Sequence, residues 1–255
     1  MVVPRDAREL RGAWASFQAL RYADPPADLA GAVDHYWGVE WDLRGQPPYA
    51  QKVVPYPTVH LTFRDGEPLV TGPARRHVVR VLEGRGRVFG VAFRPGWFRP
   101  FLAGPVAALV GRTVPAAEVF GVGPHEETVE DFLRERLRPD PVAATVADIV
   151  AYVQRESHLT RADLLADAHG MSLRKLQRLF HEYVGLGPKW VIRRYRLHEV
   201  GERLAAGGGV SWAALAAELG YADQAHFVRD FTAMVGESPT SYAQRYPVAA
   251  DRFNG

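Results

Sequence analysis

Arg174 and Arg178 stand four residues apart, with Gln177 between them and His181 one step beyond. A guanidinium is a rigid fork of donors that matches a phosphate or the O6/N7 edge of guanine. Gln224, Ala225, Val228 and Arg229 recur in a second, similarly patterned stretch. That chemistry is recognition of a polyanion. Residue types that make or break bonds are much scarcer. The chain has no cysteine, which excludes disulfides, thiolate nucleophiles and cysteine-based metal clusters. No phosphate-binding P-loop and no Gly-x-Ser-x-Gly nucleophile elbow occurs. Gly84, Gly86 and Gly90 miss the dinucleotide fingerprint, because the third glycine comes one residue late and no helix follows. His35, His60 and His77 lack the compact spacing of metal ligands, so no metal and no cofactor is expected.

Charge supports the same reading. The net charge of the 255 residues is only +2, and 28 of the 31 basic residues are Arg. Residues 1–150 hold 18 basic and 18 acidic groups. Residues 171–203 hold eight basic groups (Arg174, Lys175, Arg178, Lys189, Arg193, Arg194, Arg196, Arg203) against three acidic ones. No apolar run approaches the roughly 18–20 residues of a membrane span. The first residues lack the apolar core of a signal peptide, so a cytoplasmic protein is expected.

The elements that carry these residues fall into two textures. Residues 34–43, 58–64, 75–82 and 87–94 read as short strands bounded by Gly or Pro, with Asp65-Gly66 as a hairpin turn. Two short helices are expected in 95–120 and one at 126–137. From 142 to 246 the chain reads as amphipathic helices. Starts lie at Thr160 with Asp163, Ser172, Pro188, Ser211, Asp223 and Ser238-Pro239; stops lie at Gly170, Gly185, Gly207–Gly209, Gly220 and Gly236. A repeat runs through this half. Gly170 matches Gly220 at a spacing of 50, and Leu176/Phe227, Arg178/Arg229, Phe180/Phe231, Gly185/Gly236 and Pro188/Pro239 match at 51. Each unit is a short helix, a glycine turn and a capped second helix, which is the helix-turn-helix pattern. Leu176/Phe180 and Phe227/Phe231 would be buried, which turns the Arg and Gln positions outward.

Residues 150–246 thereby resemble the DNA-binding domain of AraC/XylS transcriptional regulators. The resemblance rests on Leu164-x-x-x-x-Gly-Met-Ser-x-Arg-x-Leu-Gln-Arg-x-Phe180, Gly187-Pro188, Arg196-Leu197, Ala214-x-x-x-x-Leu-Gly-Tyr-x-Asp-x-x-His-Phe-x-Arg-x-Phe231, Gly236-x-Ser-Pro239 and Tyr242. It departs from the family at Gly187, where Ser is usual, and at Ala225, where Ser or Gln is common. The resemblance implies recognition helices at about 173–183 and 224–235, joined by a long helix at 188–206, entering successive major-groove segments. Base contacts would come from Arg174, Gln177, Arg178, Gln224, Ala225 and Arg229. Phosphate contacts would come from Lys175, His181, Lys189, Arg193 and His226. Residues 204–246 have two basic against four acidic groups, so the first unit should dominate affinity.

The N-terminal half concentrates aromatic residues. They form either a packed core or the lining of a small-molecule pocket. Trp37, Tyr56, His60, Phe93, Arg94 and Trp97 are the candidate effector-pocket residues, with Arg94 either meeting an acidic ligand group or making a surface salt bridge. The segments His35-Tyr-Trp37, Val54-Pro-Tyr-Pro57 and Phe89-Gly-Val-Ala-Phe-Arg-Pro-Gly96 resemble a little-characterised class of sensor-like domains that precede AraC-type DNA-binding domains.

The expected architecture is α+β in two domains. Residues 1–141 form a β-rich, barrel-like sensing or dimerisation domain with flanking helices. Residues 142–246 form the all-α double helix-turn-helix domain, and 247–255 a tail. The expected function is a non-enzymatic, sequence-specific transcriptional regulator modulated by an effector or by dimerisation. The alternative is a ligand-independent regulator whose N-terminal domain only dimerises or holds a partner. Promoter double-stranded DNA, a small-molecule effector, RNA polymerase and a second copy of the chain are the candidate partners, with no membrane among them.

Overall fold

A computed structural model describes residues 18–205 and 211–245. The glycine stop at 207–209 and the tail 247–255 lie outside the described residues.

The N-terminal part is built on antiparallel strands: β1 (Ala19–Ala23), β2 (Val33–Asp42), β3 (Tyr49–Val53), β4 (His60–Arg64), β5 (Glu67–Thr71), β6 (Val78–Leu82), β7 (Arg85–Phe93) and β8 (Thr113–Pro115). Six of them form one sheet in the order β1-β2-β7-β4-β5-β8, while β3 and β6 pair as a separate ribbon. The barrel-like closure expected from sequence is absent among the described residues: β1 and β8 remain the edges of an open sheet. Asp65 and Gly66 both take positive φ (53° and 85°), which is the backbone a two-residue β4–β5 hairpin needs. One sheet face buries Leu61, Phe63, Val70, Val91 and Phe93. The other wall of that core comes from the 3-10 turn at Val106–Leu109 and from helices α1 (Ala116–Phe120) and α2 (Val129–Arg136).

The spaced glycines of β7 have a packing role. Gly86 and Gly90 lie across from Trp41 and Trp37 on β2, and a Cβ on either would fall 2.2 Å from the indole ring. The absent side chains make room for two tryptophans laid against the strand. With Val39, Leu43 and Leu82 they make a small second cluster.

Helices follow from residue 141: α3 (Pro141–Arg155), α4 (Ala162–Ala168), α5 (Leu173–Tyr183), α6 (Pro188–Ala205), α7 (Trp212–Glu218), α8 (Gln224–Val235) and α9 (Pro239–Arg245). Asp140 caps α3 by accepting from the amides of Val142 and Ala143, with proline at the first helical position. The expected cap at Thr160 is displaced: α4 starts after Arg161, without a side-chain cap. The helices bury two cores. One gathers α3, α4, α5 and the start of α6; the other gathers α7, α8 and Tyr242 of α9. One strand, β2, and three helices, α5, α6 and α8, agree with their sequence-read bounds to within one residue. β1, β3, β5 and β8 have no counterpart in the reading, because each is a segment of only three to five residues.

The two parts share a seam. The loop after β3 sends Val54 into the second helical core and packs Tyr56 against the first. The Arg194 guanidinium lies 4.0 Å over the Tyr56 ring, and its Nε donates to the Pro55 carbonyl at 2.5 Å. Tyr56 also meets Tyr195 at a tilt and His198 edgewise. A half-buried ion pair, Lys52–Glu237 at 3.2 Å, holds β3 to the turn after α8.

Candidate nucleic-acid interface

Both second helices are set by the same three devices. The Ser172 hydroxyl accepts from the Lys175 amide at 3.2 Å and opens α5; the Asp223 carboxylate accepts from the His226 amide at 2.7 Å and opens α8. The preceding turns bend through Gly170 and Gly220 at φ +60° and +73°, a left-handed backbone that favours glycine. Leu176 and Phe180 on α5, and Phe227 and Phe231 on α8, are 0% exposed. These buried anchors fix each helix's rotation. The opposite faces are therefore forced outward. Arg174, Lys175, Gln177, Arg178 and His181 are exposed on α5, and Gln224, Ala225 and Arg229 on α8. Lys189 is exposed in the first turn of α6.

Two of the phosphate-anchor candidates are placed differently. Arg193 of α6 pairs with Asp230 of α8, lies 5.0 Å over the Tyr221 ring, and reaches the His226 ring at 3.4 Å. His226 also stands against Tyr221. Burial, with the Asp230 carboxylate nearby, pushes the Tyr221 hydroxyl up from its ordinary pKa. This half-buried network ties α6 to α8, so Arg193 and His226 serve packing as well as charge.

The basic excess of 171–203 is also smaller at the surface than in the sequence. Arg194 and Arg196 are each 1% exposed. Arg194 is the cation held by Tyr56 and Pro55. Arg196 donates to the carbonyls of Val153 and Glu156, where the last turn of α3 leaves acceptors unfilled. Charge counting along the sequence cannot separate such cations from solvent-facing ones. Helical phase does not do so either, because Arg194, Tyr195, Arg196 and Leu197 are consecutive and all buried, so a full turn of α6 is covered on every side.

The six effector-pocket candidates do not form one lining. Trp37 and His60 do meet: the indole N–H donates to His60 Nδ1 at 3.2 Å. Burial, with a smaller push from His35, lowers the His60 pKa to about 4. Burial raises the neighbouring Asp34 carboxyl, but the His35 hydrogen bond at 2.9 Å and the charges of His35, Arg94 and His60 leave it below its usual value. Arg94 itself is exposed and Trp97 half-buried. Phe93 belongs to the main core, edge-on to Phe98 at 4.9 Å, and Tyr56 belongs to the seam with α6. Of the three histidines weighed as metal ligands, His77 stands apart, against Gly236.

Residues 165–245 match a family model described as a helix-turn-helix domain. The C-terminal region is a helix-turn-helix domain of the AraC type. The chain is accordingly a DNA-binding transcription regulator. The helix-turn-helix match spans both repeat units, from Leu165 in α4 to the end of α9. Residues 21–115 match a second model, described as a domain of unknown function, DUF6597. No curated protein matches the chain. Among solved structures, the C-terminal domain of AraT, a response regulator from Geobacillus stearothermophilus, is 21% identical, with 46% of this chain and 94% of that one covered and a TM-score of 0.37. ToxT from Vibrio cholerae O395 is 10% identical, with 79% and 94% covered and a TM-score of 0.39. Among the described residues no helix is long and apolar enough to cross a membrane.

Proposed function

We propose that this chain regulates transcription by reading two successive major-groove segments with α5 and α8, under the control of its N-terminal domain. The observation that carries this is the pair of matched helices, each capped at its start, rotationally fixed by two fully buried side chains, and polar on its free face. Arg174, Gln177 and Arg178 are the base readers of the first unit; Gln224 and Arg229, with Ala225 offering only an apolar contact, are those of the second. Lys175, His181 and Lys189 anchor phosphates. The unequal charge of the two faces supports the first unit as the main source of affinity. Effector control of the N-terminal domain is supported by the seam, where the loop after β3 enters both helical cores.

Selection of duplexes from a random pool by the full-length protein tests the reading. Enrichment of two sequence blocks about one DNA turn apart is expected, with affinity falling steeply as salt rises, by the release of on the order of six counterions. Binding that ignores salt or enriches no sequence refutes it.

A second reading makes the N-terminal domain chiefly a dimerisation module. It is favoured by Val79 and Val81 on one face of the β3–β6 ribbon, which stand 51% and 52% exposed. Sedimentation of the full chain and of Val79→Lys separates the two: a dimer that dissociates in the variant supports the module.

A further inference from the structure

Between the two parts lies a cleft of about 360 Å³, of whose residues the DNA-binding reading uses only Lys189. Its walls come from three places. Arg75 and Arg76 belong to the loop from β5 to β6, Lys189, Trp190 and Arg193 to the first turns of α6, and Met234 to the end of α8. Four cations therefore face one cleft. Its single carboxylate, Asp230, is already taken by Arg193.

Arg75, Arg76 and Lys189 are exposed and make no side-chain ion pair among the described residues. Other arginines do find carboxylates: Arg99 meets Glu182, and Arg134 meets Asp28, Glu130 and Asp131. Like charges gathered around a concave wall repel one another and raise the local concentration of anions. The cleft thus carries a net positive charge.

The rest of the wall says what carries the anion. The Trp190 indole N–H already donates to the Arg75 carbonyl at 3.2 Å, so the ring has only its apolar surface left to offer. Met234 and Ala233 add more apolar surface. The volume sits at the small end of ligand pockets, which run from roughly 300 to 1,000 Å³. We infer that this cleft binds a small organic anion, a carboxylate or phosphate on a compact apolar body, clamped between the two domains. Arg75 and Arg76 grip the oxyanion, and the body lies on Trp190. Trp190 packs against both helical cores, so an occupant would touch the joint on which both recognition helices turn. The inference rests on the proposed effector control and gives it a place and a ligand chemistry.

The test is calorimetric titration of the full-length protein with phenyl phosphate, benzoate, inorganic phosphate and phenol. Saturable binding of phenyl phosphate or benzoate is expected, with inorganic phosphate weaker and phenol silent. Arg75→Ala/Arg76→Ala should weaken that binding about tenfold or more, the usual loss of a charge-assisted contact. Arg21→Ala, an exposed cation on β1, should leave it unchanged. Absence of saturable binding overturns the inference, and so does equal binding by the double variant. If no small anion binds and the double variant instead weakens random duplex DNA, the cleft holds a backbone phosphate and the inference also fails. Failure of the regulator reading looks different: the wild-type protein then enriches no DNA sequence, whatever the titration shows.

Discussion

Val54 is the most diagnostic residue in the protein, because it sits after a β-strand but fills a helical core. It is 1% exposed and packs with Leu197, Leu215, Phe227 and Phe231. Val54→Ala removes the equivalent of two methylenes, worth about 1.6 kcal/mol in transfer, and leaves a small cavity that raises the loss to about 2–3 kcal/mol. The distinguishing point is where the loss is felt. Native-state hydrogen exchange should show α7 and α8 opening more readily by that amount, while β2, β4 and β7 keep their protection. Tyr56→Ala should act on the other unit. It strips the ring from Arg194 and leaves a buried guanidinium less well covered, so α6 and α3 should lose protection instead. If Val54→Ala loosens only β3 and β4, or if both variants loosen the same helices, the loop does not wedge the two units separately and the reasoning fails.

The other expectations can be checked with smaller experiments. Phe231→Ala should cost about 3–5 kcal/mol by leaving a large cavity under α8, so an unchanged melting curve would place Phe231 outside the core. Arg178→Ala should cost about 1–3 kcal/mol on a selected site and relax base preference there, whereas Lys189→Ala should weaken selected and scrambled duplexes alike and lower the salt slope by about one. Equal losses on both duplexes for Arg178→Ala would make it a phosphate contact. The His60 ring is held near 4 against an ordinary 6.5, so the unfolded chain takes up this proton first as pH falls. Stability should be full above about 6.5 and decline towards 4 by on the order of 3 kcal/mol, and His60→Gln should flatten that decline. An unaltered pH profile in the variant would mean that His60 titrates freely.

The recognition units were legible in the sequence because their determinants are local. A capping side chain, a glycine turn and the 3.6-residue period all lie within about twenty residues, and α5 and α8 fall where those signals put them. The seam was not legible, because nothing local marks it. Tyr56 reads as one more aromatic in a β-rich stretch, and Arg194 as one more surface cation; only the fold brings a residue near 55 against one near 194. The barrel-like expectation failed for a related reason. Strand count and alternation do not say whether the edge strands meet, and here β3 and β6 leave the sheet to pair with each other. The glycines of β7 lack the dinucleotide spacing, but their use as seats for Trp37 and Trp41 depends on the β2–β7 register, which no local pattern gives.

Under the proposed control by the N-terminal domain, that ribbon is the physical link to the helices. One end of β3 and β6 is rooted in the small cluster around Trp41, through Tyr49 and Leu82. The other end leads into the loop that carries Val54 and Tyr56 and, on the β6 side, into the loop of Arg75, Arg76 and His77. Both loops meet α6 or the end of α8, and α6 itself runs from one recognition unit to the other. Its 18 residues span about 27 Å, somewhat less than the ~34 Å between successive major-groove faces. On the proposed reading of two successive major-groove segments, α5 and α8 fit one face of DNA only if α6 holds a particular tilt to each unit. Val54 and Tyr56 wedge one side of that helix, and the cationic cleft lies at its first turn. A ligand need not reach the DNA-binding faces to change their fit; it need only favour one seating of α6 by an energy comparable to a few contacts.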